Sequence, residues 1–153
     1  MKHLLLLCLS LLVALPTSAD EVKDACTDLV LDYAYYRDRF APLPYGELFT
    51  EDAVLTVLGE VAKGREAIRE RLVKAEPTQV IRHQMGTIRI FPKPEDNPRT
   101  AAGVSYVTVY VSSPGELPLK AEQRVVGEYH DEFVRTADGW KIGKRTFIPV
   151  FTE

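Results

Sequence analysis

Between residues 20 and 40, apolar side chains recur every three or four positions, at Val22, Cys26, Leu29, Val30, Tyr33, Tyr36 and Phe40, which is the one-faced pattern of an amphipathic helix. Asp20 and Glu21 suit its positive amino end, and Ala41-Pro42-Leu43-Pro44 stops it because proline offers no N–H and clashes with the turn before it. Residues 45–49 predict one or two further helical turns. Thr50-Glu51-Asp52 leads into a strand at 53–58, Gly59-Glu60 turns the chain, and a short return follows at 61–63. Gly64 opens a third helix over 65–76, with Ile68, Leu72 and Val73 on one face. The pattern then changes to long extended runs, predicting strands over 78–92, 100–113, 120–136 and 140–151. Proline-rich and glycine-rich connections at 92–98, 113–118 and 137–139 separate them.

Helices and a short hairpin followed by a long antiparallel meander predict an α+β fold, with the helices packed on one side of a curved sheet. Residues 104–111 carry apolar side chains on both faces, Val107, Val109 and Val111 on one and Tyr106 and Tyr110 on the other. Such a strand is expected to be covered twice, by helices or a pocket on one side and by a second subunit on the other.

The amino terminus changes the domain count. A short positive region, Met1-Lys2-His3, precedes an apolar run from Leu4 to Leu15 and the small residues of Pro16-Thr17-Ser18-Ala19. This is the grammar of a secretory signal peptide over 1–19, with cleavage expected after Ala19 and a single domain over 20–153. The apolar run is short for a membrane span and no later stretch resembles one, so the mature protein is expected to be exported, periplasmic or secreted, and without stable membrane insertion. A lipoprotein reading of Cys8 fails because bulky Leu7 precedes it, which leaves Cys26 as the one mature cysteine and no internal disulfide.

The chain has 153 residues and a net charge of −3, and the leader carries a basic residue and no acidic one, so the mature domain is weakly acidic. With basic and acidic residues interspersed, no stripe is available to neutralise phosphates, and nucleic acid is not an expected partner. Outside the leader only His83 and His130 remain, on different strands and without ligand spacing, so no metal is expected. A phosphate-binding glycine loop, a nucleophile elbow and a cysteine–histidine pair are absent as well, and no cofactor is implied.

Three segments carry a resemblance: Tyr36-Arg37-Asp38 followed by Glu47-Leu48-Phe49-Thr50-Glu51-Asp52-Ala53, the helix start Gly64-Arg65-Glu66-Ala67-Ile68, and the closing stretch from Phe133 through Asp138-Gly139-Trp140 to Ile142. Over essentially the whole mature length the chain resembles the SnoaL-like proteins of the nuclear-transport-factor-2-like superfamily. The resemblance implies a cone: a strongly curved, mixed but mostly antiparallel sheet around a pocket, with about three helices packed on it. His83-Gln84-Met85-Gly86 is similar to the catalytic strand of the scytalone dehydratases, whose helix-one aspartate falls at Asp38. In the steroid isomerases the oxyanion-hole tyrosine falls near Tyr33 and the protonated aspartic acid near Asp131. The dehydratases' second histidine has no counterpart, its position falling near Ser113, and the isomerases' general-base aspartate has none either.

The residues themselves support two readings. An imidazole bonded to a carboxylate is fixed in one tautomer and serves as a base, and a phenol aimed at a carbonyl stabilises an enolate. On that reading His83 is the base, Asp38 its orienter, Tyr33 the carbonyl polariser and Asp131 a secondary acid. Tyr36, Met85, Tyr106, Tyr129 and Phe133 are the candidate substrate-binding residues. The structural reading makes His83 a core histidine, Asp38 a helix-end carboxylate paired with Arg37 or Arg39, the tyrosines core, and Asp131 the partner of Arg145 across the sheet. Asp131 rather than His130 is expected to face inward, because it alternates with Tyr129 and Phe133. The expected function is a lyase or isomerase acting beside a carbonyl of a small hydrophobic molecule; the alternatives are a non-catalytic binding protein and a homodimeric interaction domain with a vestigial pocket.

Overall fold

The computed structural model describes residues 18–75, 78–93, 97 and 99–152, so residues 1–17 of the expected leader and parts of the 92–98 connection lie outside the described residues. The elements run α1 (Ala19–Asp38), α2 (Pro42–Glu47), β1 (Phe49–Val57), β2 (Glu60–Lys63), α3 (Arg65–Lys74), β3 (Val80–Pro92), β4 (Thr100–Ser112), β5 (Glu122–Thr136) and β6 (Gly139–Thr152). The strands form a six-stranded sheet in the order β2-β1-β6-β5-β4-β3. β1 runs parallel to β6, and every other pairing is antiparallel. The architecture is therefore the α+β arrangement that the change of period predicts.

Two boundaries differ from the sequence pattern. α2 starts at Pro42 rather than at Tyr45, because a proline's fixed φ suits the first helical turn, where its missing N–H is not needed. β1 starts at Phe49, ahead of the apolar run, and pairs Phe49 with Ile142 before a register shift. Its polar residues Glu51 and Asp52 lie exposed, so the pattern there does not read as a strand.

α1 opens with a capping box, Ser18 Oγ accepting from the Glu21 N–H and the Glu21 carboxylate accepting from the Ser18 N–H at 2.8 Å. Along α1 the residues Val22, Cys26, Leu29, Val30 and Tyr33 are buried against the inner face of the sheet, where they join Val107, Val109, Tyr129, Phe133 and Phe147 in one core. Bulges curve the sheet. The one in β3, between Gly86 and Ile88 with Thr87 at φ 36, shifts the strand by one residue, so that Met85 and Ile88 both pack on the core despite their opposite parity.

Candidate active site

Asp38 is the last residue of α1, and the negative end of a helix is a poor place for a carboxylate unless something compensates it. The compensation comes from β3. Asp38 Oδ2 accepts from the His83 backbone N–H at 2.9 Å, and Oδ1 lies 2.6 Å from His83 Nδ1. One carboxylate thus grips both the backbone and the ring of one histidine, with side chains only 6% and 7% exposed. In the neutral imidazole this geometry puts the proton on Nδ1 and the lone pair on Nε2, which has no partner among the described residues.

Around this pair the inner face is aromatic. The Tyr33 ring lies edge-on to His83 at 6.5 Å and packs against Tyr45 at 5.2 Å, Tyr129 at 5.3 Å and Phe49 at 6.2 Å. Burial, followed by the neighbouring Tyr33, pushes the phenols of Tyr45 and Tyr129 well above their usual range, so both remain neutral hydrogen-bond donors. Beneath them sits Arg145, fully buried, its guanidinium 4.1 Å from the centre of Tyr33 and 4.6 Å from that of Tyr129. Arg145 Nε and Nη2 donate to the two oxygens of Asp131, each at 2.7 Å. Burial alone would lower the guanidinium's proton affinity, but Asp131 outweighs it and the net direction is upward.

These features are the inward-facing residues of a fold found in other proteins. The SnoaL-like domain model matches residues 20–146. The chain belongs to the SnoaL-like domain family. No curated protein matches it, but solved structures share its fold. A scytalone dehydratase candidate from Novosphingobium aromaticivorans has 23% identity and a TM-score of 0.70, with 85% of each chain covered. A nuclear-transport-factor-2-like protein with a cystatin-like fold, from the same organism, has 20% identity and a TM-score of 0.72 over 87% of this chain and 90% of the other. A hexachlorocyclohexane dehydrochlorinase has 16% identity and a TM-score of 0.72 over 86% and 87%.

Within this SnoaL-like domain, the candidate residues separate into three groups. His83, Asp38 and Tyr33 come together on one side of the interior, with Met85 half-buried on the same strand face and Tyr129 against Tyr33. Tyr36 lies on α1, half-buried, its ring 5.4 Å from that of Tyr35. Asp131 faces inward as its parity predicts, while His130 lies on the opposite face with Nε2 2.9 Å from Glu128. Asp131 does not fit the role of a free acid, however: both its oxygens already accept from Arg145, so it is the counter-ion of a buried cation.

Two substrate-binding candidates are corrected. Tyr106 is 48% exposed on the outer face, because in β4 the inward set is Ser105, Val107 and Val109, and Val109 is the residue paired with His83. Phe133 is buried but lies at the other end of the sheet, opposite Ala101 and against Gly103, whereas His83 lies in the row of Val109 and Val125. Sequence reasoning missed Tyr45 and gave Arg145 a part only as a partner of Asp131. A signal for Arg145 exists in its alternation with Phe147, which places a cation on the inward face.

Two clefts of about 670 and 630 Å³ flank α3; Arg37, Lys74 and Ala75 line both, and His83 lines neither. Ile81 lines the first, and it is half-buried against the core on the same strand face as His83. Among the described residues no group of three His, Cys, Asp or Glu side chains is placed to hold a metal ion, and no helix is long and apolar enough to cross a membrane.

Proposed function

We propose that this SnoaL-like domain is a cofactor-independent acid–base enzyme, a lyase or isomerase that removes a proton next to a carbonyl of a small hydrophobic substrate. The observation that carries the reading is the double grip of Asp38 on His83, which leaves Nε2 as an acceptor. His83 Nε2 takes the α-proton, and the electron pair of the broken C–H bond moves onto the carbonyl oxygen as an enolate. The phenol of Tyr33 and the neutral phenols of Tyr45 and Tyr129, near the Arg145 cation, supply donors and positive charge for that oxygen. Return of the proton from His83 to a different carbon completes an isomerisation; departure of a leaving group from the β-carbon, protonated by His83, completes an elimination.

The test is deuterium uptake from heavy water into a panel of small ketones and hydroxyketones, read by mass spectrometry. Uptake by the wild type that disappears in His83→Ala and Asp38→Asn is expected. Uptake unchanged in both variants, or no uptake by the wild type across the panel, would overturn the proposal.

A second reading, a binding protein for a hydrophobic small molecule, is favoured by the close aromatic packing around His83 and by the absence of His83 from the walls of both clefts. It predicts compounds that raise the melting temperature without exchanging protons. We further infer export with cleavage after Ala19, which removes the Ser18 cap of α1 from the mature chain and is checked by its mass, and homodimerisation through the outer sheet face. Exposed Tyr106, Ile148 and Val150 support that surface, and sedimentation of wild type against Tyr106→Glu tests it.

A further inference from the structure

Arg37 stacks its guanidinium over the Phe40 ring at 5.3 Å and has no carboxylate partner among the described residues. Its Nη1 is buried and has no hydrogen-bond partner among the described residues. Arg65, Arg69, Arg71 and Arg145 each pair with a carboxylate, namely Glu51, Glu66, Glu60 and Asp131. The acid next to Arg37 in sequence, Asp38, has committed both oxygens to His83. A guanidinium N–H without an acceptor is unfavourable, and an acceptor oxygen brought to the guanidinium relieves that cost.

The surroundings define that ligand. Arg37 lines both large clefts, at the place where they share walls with Lys74. In the first cleft, Arg37 and Lys74 are the charged lining residues among those described, while Phe40, Val73 and Ile81 give an apolar wall. In the second, Glu60 and Glu70 are paired with Arg71 and Lys74 at 3.1 Å each, so no carboxylate there is left for Arg37. One feature opposes an anion: the carbonyl end of α3 lies at Ala75, and Arg71 and Lys74 in its last turn offset that partial negative charge.

We propose that Arg37 anchors a small hydrophobic carboxylate, its acid group on the part of the guanidinium that lines the cleft and its apolar chain along Phe40, Val73 and Ile81. This names the substrate class of the acid–base reading and rests on that reading for the claim that the anchored chain is then processed at His83; the binding stands without it. A cleft of about 670 Å³ is in the range that holds a molecule of that size.

The experiment is isothermal titration of the full chain with hexanoate and with hexanamide, its neutral isostere, at fixed ionic strength. Saturable hexanoate binding is expected, with hexanamide weaker by about tenfold or more. Arg37→Gln is expected to remove that preference and Arg37→Lys to keep part of it, with melting curves confirming that both variants fold. Equal binding of acid and amide, no saturable binding of hexanoate, or full hexanoate affinity in Arg37→Gln would overturn the proposal. Hexanoate binding that depends on Arg37, in a protein without deuterium exchange, would refute the enzyme reading and leave the anchor standing.

Discussion

Replacing Asp131 by asparagine keeps the shape of the side chain but removes the charge that Arg145 faces. In the native pair the guanidinium donates to both carboxylate oxygens at 2.7 Å. Its side chain is 0% exposed and that of Asp131 is 1% exposed, so water cannot substitute. Asparagine offers one oxygen and turns the other acceptor into an N–H₂ that meets an N–H donor. The cation would then lie buried against Tyr33 and Tyr129 without a counter-ion, and stacking on a ring, worth about 2 kcal/mol or more when desolvated, is present in both states and does not replace the lost acceptor. Breaking a buried pair from one side costs about 3–5 kcal/mol, a large part of a total stability of about 5–15 kcal/mol. With a urea m-value of about 2 kcal/mol/M, Asp131→Asn is expected to lower the unfolding midpoint by about 2 M. Equilibrium urea unfolding followed by circular dichroism measures it. The double variant Asp131→Leu with Arg145→Met removes both charges and is expected to recover most of the loss, since it leaves no unpaired ion. A single variant within about 1 kcal/mol of wild type, or a double variant no more stable than the single one, would refute the reasoning.

Asp38→Asn is expected to slow substrate deuteration by roughly 10²–10⁴-fold while costing about 1–2 kcal/mol of stability, because one oxygen remains to accept from His83; parallel exchange and melting measurements check the separation. Alkaline titration reads the buried acids. Burial, with the Asp131 charge as a smaller contribution, pushes the Cys26 thiol up to about 12, and burial holds Tyr45 and Tyr129 well above their usual value. The unfolded chain releases these protons first, so stability is full below about pH 9 and falls at higher pH by about 1.4 kcal/mol per unit for each group ionised only in the unfolded chain. Urea midpoints from pH 8 to pH 11 measure the decline, Cys26→Ala should delay its onset, and a flat profile would contradict it. Gly127→Ala would set a Cβ 2.5 Å from the Ile148 carbonyl oxygen and 2.6 Å from a Phe147 ring carbon, whereas Gly86→Ala meets nothing within 4 Å. The first is expected to cost about 3 kcal/mol and the second under about 0.5 kcal/mol in the same unfolding assay.

Much of the fold was legible because hydrophobic period is a local property. Val22, Cys26, Leu29 and Val30 announced α1, alternation announced the long strands, and Tyr129, Asp131 and Phe133 told which side of β5 faces inward. Legibility failed where local signals conflict with long-range pairing. Thr50-Glu51-Asp52 looks like a turn but lies within β1, between the Phe49 and Val54 that pair with β6, and the clash of parity between Met85 and Ile88 was a bulge. For the site, sequence named His83 and Asp38 through a resemblance, while their contact spans 45 residues and exists only because α1 ends against β3. Periodicity assigned Asp131 to the correct face yet not to its occupation by Arg145, and it did not separate Phe133, at the far end of the sheet, from residues near His83.

By itself, then, the sequence determined the elements, the inward faces and the family, because these follow from side-chain spacing and local motifs. Only the tertiary structure decided which inward residues meet. Bulges, register and curvature accumulate over many residues, and they made Asp131 a counter-ion, turned Tyr106 outward and left Arg37 Nη1 buried without a hydrogen-bond partner among the described residues.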